Sequence, residues 1–395
     1  MSQAALILCL FIHAALCTAQ GNDAVYSSLT EELQALAAEG SMVGFSVAIY
    51  NQDGALYQQG FGYADKDKQQ PYTVQTIQNI ASISKTFSGI ALLKAQELGK
   101  LDLDDPVSKH LPFDVINPYN PDEPITIRQI ASHTSSIQDR GLWYSFNSYV
   151  LREKKKPGEK KKIYFSKPDK MLSLAQLYRN YLSEDGKNYK KKSYSKHKPG
   201  DNYDYSNIAA ALAAYVIEEA TGKDFKAFTQ RHIFDPLGMD HTGWAYEDID
   251  MSQHATTYTV SHKPITPYSL ITYPDGGLRT SAEDMAKYAA ELMRGYHGEG
   301  TLLSAASYQE AFTGALTPAQ VAGRGGDSYG VFFEVTEGHQ IGHSGSDPGV
   351  TTLMYFDPKS QTGRYLQVNT EVTKKNRDIF GAIYSTLKEH EGQIK

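Results

Sequence analysis

Ser82-Ile83-Ser84-Lys85 sets a hydroxyl and an amine three residues apart, which on a helix places both on one face and within reach of each other. A serine hydroxyl is a poor nucleophile at neutral pH and needs an adjacent base. Lysine serves as that base only where burial or nearby cations depress its pKa. A serine at the start of a helix also has backbone N–H groups and the positive end of the helix dipole beside it, so oxyanion stabilisation is available at the same place. Taken alone, the tetrapeptide is more often a capping serine followed by a surface lysine.

Two further groups sit where such a pair needs help. Tyr205-Ser206-Asn207 directly precedes an alanine-rich run. In a semi-extended segment alternate residues point the same way, so the Tyr205 phenol and the Asn207 amide can enter one cleft. The phenol can then relay a proton to a leaving group, and the amide can hydrogen-bond a substrate amide. A helix cap with a packed tyrosine is the plainer account. His343-Ser344-Gly345-Ser346 closes a run with strand character. Alternation puts His343 and Gly345 on one face, glycine lets a ligand lie against the backbone, and the Ser346 N–H can pair with that of Ser82 as an oxyanion hole. His133, His232, His241, His254, His262 and His343 show no metalloprotease spacing, so neither a metal nor another cofactor is expected.

The surrounding pattern supplies elements to hold these groups. A helix is expected from about Ser27 to Glu39, then strands over Val43 to Tyr50 and Ala55 to Tyr63 joined at an Asp-Gly turn. Ile80 to Leu98 has helical spacing and stops at Gly99, as a left-handed cap residue would make it do. Thr126 to Ser132, Tyr205 to Ala220 and Asp224 to Ile233 read as helices. Tyr329 to Val335, His339 to Ser344, Thr351 to Phe356 and Arg364 to Asn369 read as strands, and Lys375 to Glu389 as a last amphipathic helix. Strands first, helices in the middle and strands last imply an α/β (α+β) fold, with an antiparallel sheet flanked by helices and edged by both ends of the chain. The sheet domain is expected over residues 21–105 and 245–395, and an inserted, mainly helical region over 106–244 makes the other wall of a cleft.

In this order and separation the three elements resemble the serine β-lactamase and penicillin-binding-protein superfamily, in its class C β-lactamase-like branch. The likeness extends to Thr126-Ile127-Arg128-Gln129-Ile130-Ala131-Ser132-His133-Thr134-Ser135, to Phe234-Asp235-Pro236-Leu237-Gly238-Met239 and to Gly276-Gly277-Leu278-Arg279-Thr280-Ser281. It implies a β-lactamase/transpeptidase-like fold and an acyl-enzyme on Ser82. It also implies Lys85 as the immediate proton partner and Tyr205 as base or relay, with the choice of first base open. Asn207, His343 and Gly345 are implied as substrate-binding residues. His343-Ser344-Gly345 stands where β-lactamases and transpeptidases usually carry Lys-Thr-Gly, which removes a fixed cation for a substrate carboxylate. A histidine charged near its normal pKa would make that loss partial. The spacing is more similar to that of the esterases, D-amino-acid peptidases and eukaryotic β-lactamase-like proteins of the superfamily.

Composition narrows the setting. The 395 residues are 41% hydrophobic and 21% charged, enough for a large two-part fold. Ala4 to Cys17 is an apolar run too short to span a bilayer, and it reads as the core of a secretory signal over residues 1–20, cleaved after Ala19 or Gln20. Cys9 and Cys17 both fall inside it, so cysteine proteases and zinc fingers are excluded for the mature chain. No later stretch is expected to cross a membrane. From Leu151 to Lys198 there are 16 Lys and Arg against 5 Asp and Glu, a net of +11 in a chain of net −6. That insert is either a solvated surface loop or a basic lid that steers an anionic substrate or polymer. Nucleic acid is not an expected partner, because the overall charge is negative and no binding motif accompanies the patch.

The expectation is a secreted or periplasmic serine hydrolase acting on esters or on D-amino-acid and short-peptide amides, ahead of β-lactams. A β-lactamase or D,D-carboxypeptidase, an acyltransferase and a catalytically silent binding protein are the alternatives. An α/β-hydrolase centred on Ser344 in Gly342-His343-Ser344-Gly345-Ser346 fails, because Ser346 replaces the last glycine of the elbow and too little chain follows to complete that fold.

Overall fold

Phe45, Val47 and Ile49 point to one side of their strand and Ala48 and Tyr50 to the other, and all five are buried, so this strand must be covered on both faces. The computed structural model describes residues 24–153 and 165–394, and the expected secretory signal lies outside them. Among the described residues an eight-stranded antiparallel sheet runs in the order Gln70–Pro71, Gly54–Asp65, Gly44–Asn51, Thr362–Val368, Val350–Asp357, Ile341–Asp347, Glu334–Val335, Ser328–Tyr329. Its centre joins the two ends of the chain, with Phe45 opposite Val368 and Val47 opposite Leu366. The expectation of a sheet built from both termini therefore holds.

Register decides what each face meets. Phe45, Val47, Ile49, Leu366 and Val368 pack on Leu29 and Leu33 of a helix over residues 24–38 and on Ile383 and Leu387 of the helix Arg377–Glu391. Ala48, Tyr50, Met354, Phe356 and Tyr365 turn the other way, into the main core. There they meet the helix Ala282–Tyr296, which lies across the first two strands. Behind it, Ser84–Glu97 is buried around nearly its whole circumference, as befits a helix enclosed by others, and ends at Gly99 with φ +66. The alanine-rich helix Asn207–Thr221 packs against it, its small side chains allowing close approach.

Two expectations need correction, and one helix was missed. Tyr329 to Val335 is not one strand: Ser328–Tyr329 and Glu334–Val335 pair with each other around a turn with Phe332 at φ +58. The Val331 and Phe332 N–H groups donate to the carbonyls of Ala311 and Ala131, so a short apolar run that suits a strand serves as a buried plug. The helix expected from Asp224 stops as an α-helix at Thr229 and continues as a π-helical turn, Gln230–Phe234. Ala282–Tyr296 was not anticipated, although Ser281 caps it and its buried Met285, Tyr288, Ala289 and Leu292 follow helical spacing.

From residue 165 on, the basic insert is more anchored than a loop. The helix Leu174–Leu182 buries Tyr178 and Tyr181, and the Tyr178 hydroxyl donates to the Ile208 carbonyl at 2.8 Å. Lys187, Lys190, Lys191, Lys192 and Lys196 are exposed.

Candidate active site

Ser82 stands on a strained turn. Ala81 before it adopts φ +49, a conformation that is unfavourable for a residue with a Cβ, by about 1 kcal/mol. Asn79 holds that turn: its Oδ1 accepts from the Ala81 N–H at 2.6 Å, and its Nδ2 donates to the Gly276 carbonyl at 2.9 Å. The short helix Ala81–Ile83 then runs into Ser84–Glu97, which carries Lys85 one turn on. On the far side lies the strand Ile341–Asp347. A Cβ on Gly345 would come within 2.9 Å of the Ser82 nitrogen and 2.6 Å of the Ile80 carbonyl oxygen, so only glycine lets strand and nucleophile turn approach this closely. The Thr352 hydroxyl donates to Ile80 O at 2.8 Å and pins the same junction from the neighbouring strand.

The Lys85 ammonium is fully buried and donates to Ser82 Oγ at 3.0 Å, to Asn207 Oδ1 at 2.8 Å and to the Asp275 carbonyl at 2.7 Å. Three acceptors match the three N–H bonds of the charged form. Burial pushes its pKa down, but Tyr205, Asp275 and Asp139 around it prevail and hold it above the ordinary lysine value. The depressed pKa that a lysine base requires is therefore not found. Tyr205 stands over the same ammonium, 5.0 Å from ring centroid to Nζ, and is 36% exposed to the cleft.

Asp139 fixes Asn207, and sequence reasoning missed it. Its carboxylate accepts from the Ser206 hydroxyl at 2.9 Å, the Asn207 and Ile208 backbone N–H groups at 3.1 and 2.9 Å, and Asn207 Nδ2 at 2.9 Å. These bonds satisfy donors that a helix N-terminus otherwise leaves open. Between a carboxylate and an ammonium the Asn207 amide has one workable orientation, and its second N–H remains for a ligand.

His343 is buried and neutral. Its Nδ1–H donates to the Ser344 carbonyl and its Nε2 accepts from the Tyr329 hydroxyl. Burial, then the charge on Lys85, pushes it down to about 3. It is no stand-in for a fixed cation, so the partial retention of charge expected at this position is corrected. His133, tilted against the Tyr205 ring at 4.3 Å between centroids, is likewise held well below the usual histidine range by burial.

Ser82, Tyr205, Asn207, His343, Gly345 and Ser346 line one cleft of about 430 Å³, and Lys85 lies beneath it. The cleft also has residues no motif announced: Tyr144, Tyr149, Asp275, Asp347, Arg324 and Glu334. Arg324 is tied to Glu334 at 3.1 Å and lies 4.0 Å over the Tyr203 ring. Among the described residues no cluster of three or more His, Cys, Asp and Glu is arranged to hold a metal ion.

A serine beside a buried lysine at the start of a core helix, facing a sheet strand across a cleft, defines a class of serine hydrolases. Residues 29–387 match the beta-lactamase family, and the chain belongs to it. The putative penicillin-binding protein PbpX of Bacillus subtilis (strain 168) is 27% identical over 354 residues, 88% of this chain and 76% of that protein. Protein flp of Staphylococcus aureus (strain MW2) is 24% identical over 372 residues, 90% and 68% of the two chains. The octameric penicillin-binding protein homologue from Pyrococcus abyssi superposes with a TM-score of 0.69 at 23% identity, over 92% of this chain and 77% of that one. A class C beta-lactamase superposes with a TM-score of 0.68 at 20% identity, over 93% and 97%. The β-lactamase and penicillin-binding-protein fold is thus shown, with its helix-flanked antiparallel sheet.

Proposed function

We propose that the chain is an exported serine hydrolase that forms an acyl-enzyme on Ser82 and acts on esters or on D-amino-acid and short-peptide amides. The observation that carries this reading is the disposition around Lys85, whose three N–H bonds are all donated, one of them to Ser82 Oγ. An ammonium in that state takes no proton, so in this reading Tyr205 acts as a phenolate and takes the Ser82 proton as Oγ bonds to the acyl carbon. The carbonyl oxygen becomes an oxyanion between the N–H groups of Ser82 and Ser346. As the bond to the leaving group breaks, Tyr205 returns the proton to the departing atom. Water then attacks the acyl carbon, gives a proton to Tyr205, and Ser82 Oγ leaves with that proton.

A neutral His343 and an Arg324 already paired with Glu334 offer no free cation for the carboxylate of a β-lactam, which supports esters and amides as the better substrates. The exposed lysines of the insert serve to raise capture of anionic substrates.

Intact-mass measurement after a fluorophosphonate, a p-nitrophenyl ester and a penicillin tests the assignment in the native protein, Ser82→Ala, Ser344→Ala and Tyr205→Phe. The adduct is expected to vanish in Ser82→Ala and persist in Ser344→Ala. Ester acylation in Tyr205→Phe is expected to slow by about 10²–10⁴-fold. Full-rate acylation of Tyr205→Phe would return the proton to Lys85.

A further inference from the structure

The end of the cleft beyond Gly345 is acidic and incomplete. His343, Gly345 and Asp347 alternate onto one face of their strand. Tyr205 lies on the His343 side, with ring centroids 6.3 Å apart, so the leaving group departs there. Asp347 lies the other way, about 7 Å past Gly345 at the rise of a strand, on the side of the acyl group. Its Oδ1 accepts from the Tyr149 hydroxyl at 2.7 Å. Its Oδ2 is enclosed and has no hydrogen-bond partner.

Nothing nearby supplies the missing donor. Oδ2 lies over Gly276, where a Cβ would stand 3.3 Å from it. Asp275, the neighbouring residue, is buried and accepts from the Tyr144 hydroxyl at 2.9 Å. Lys85 has donated all three N–H bonds elsewhere. Arg279 spends its Nη donors on the carbonyls of Trp244, Gly277 and Tyr268. Burial raises both carboxyls to about 7; Asp275 adds to the rise at Asp347, and the charge on Lys85 opposes it at both without offsetting it. A buried carboxylate oxygen without a donor is costly, and a ligand that brings one is favoured.

We propose that Asp347, with Asp275 beside it, forms a subsite for an ammonium on the acyl part of the substrate, so that the enzyme prefers acyl donors with a free amine near the scissile carbonyl. The subsite rests on the acyl-serine reading above. A charge-assisted N–H···O contact of about 2.8 Å leaves a span that an amine on the first few atoms of the acyl chain bridges. Tyr149 and Tyr144 orient the two carboxylates by donating to them, and they come from the stem of the basic insert, which thereby shapes specificity from its root.

The test compares kcat/KM for three p-nitrophenyl esters of one acyl skeleton: D-alanyl, N-acetyl-D-alanyl and propionyl. In the native protein the free amine is expected to exceed the N-acetylated ester by about tenfold or more, the effect of one charge-assisted contact. In Asp347→Asn that ratio is expected to collapse towards one, and in Tyr149→Phe to fall part of the way. The native comparison needs no variant to fold. Equal values for the amine and its N-acetyl form, or a ratio unchanged in Asp347→Asn, would overturn the subsite while leaving the acyl-serine intact. Failure of all three esters to acylate Ser82 would remove both readings together.

Discussion

At the scale of single residues, the arrangement turns on which groups are already satisfied. Lys85 has three acceptors for three N–H bonds, whereas Asp347 Oδ2 has none. The first is stable as a cation; the second is a deficit within the fold. That deficit has a thermodynamic signature. A carboxyl whose folded pKa lies above its unfolded value stabilises the fold fully below the unfolded value, and the contribution is lost as pH rises through the folded one. For Asp347 that window runs from 3.8 to about 7. The native protein is therefore expected to lose Tm relative to Asp347→Asn between pH 4 and pH 8, the two nearly coinciding at the acid end. Thermal scans across that range check it, and parallel curves would show that Asp347 ionises in the fold as freely as in the unfolded chain. Ser82 and Lys85 were legible in the sequence because helix periodicity alone puts them together. Asp347 and Asp275 were not, because no local pattern joins a strand end to a turn at Tyr273–Gly276.

Among the elements, the junction before Asn207–Thr221 shows what spacing conveys and what it omits. Ser206 as cap and Asn207 as an inward amide could be read from the alanine-rich run that follows. Asp139, which holds both, comes from a different segment of the chain and carries no signature. Asp139→Ala removes four hydrogen bonds at one helix start and is expected to lower stability by about 2 kcal/mol. It also frees the Asn207 amide to rotate, so acylation should slow more than the loss of stability accounts for. Denaturant titration beside the acylation rate separates the two effects, and a normal rate in the destabilised variant would confine Asp139 to capping. The same limit explains Val331-Phe332-Phe333. A short apolar run suits a strand or a buried turn equally, and its choice was made by the Ala131 and Ala311 carbonyls that receive its N–H groups. Ala282–Tyr296, by contrast, carried both a cap and a period, a signal that the sequence reading passed over.

For the whole molecule, charge is divided between surface and cleft. The exposed lysines 187, 190, 191, 192 and 196 lie on a segment anchored by Tyr178, Tyr181 and Tyr194, while the cleft holds Asp275 and Asp347. Neutralising Lys190, Lys191 and Lys192 is expected to lower kcat/KM for esters with an anionic leaving part and to flatten its dependence on ionic strength. Equal salt slopes in the two proteins would leave the insert a solvated face. Among the described residues no helix is long and apolar enough to cross a membrane.

The sheet order carries a consequence in time. Phe45 pairs early with Phe61, but its second partner is Val368, so the strand Gly44–Asn51 leaves the ribosome long before Thr362–Val368 exists to cover its second edge. Until then the chain can form its first hairpin and its local helices, but the cleft wall that bears Gly345 cannot close on Ser82. Pairings this distant make folding slow and late, and they leave an apolar strand edge open in the interim. A chain built this way can assemble its cleft only once its last strand has arrived.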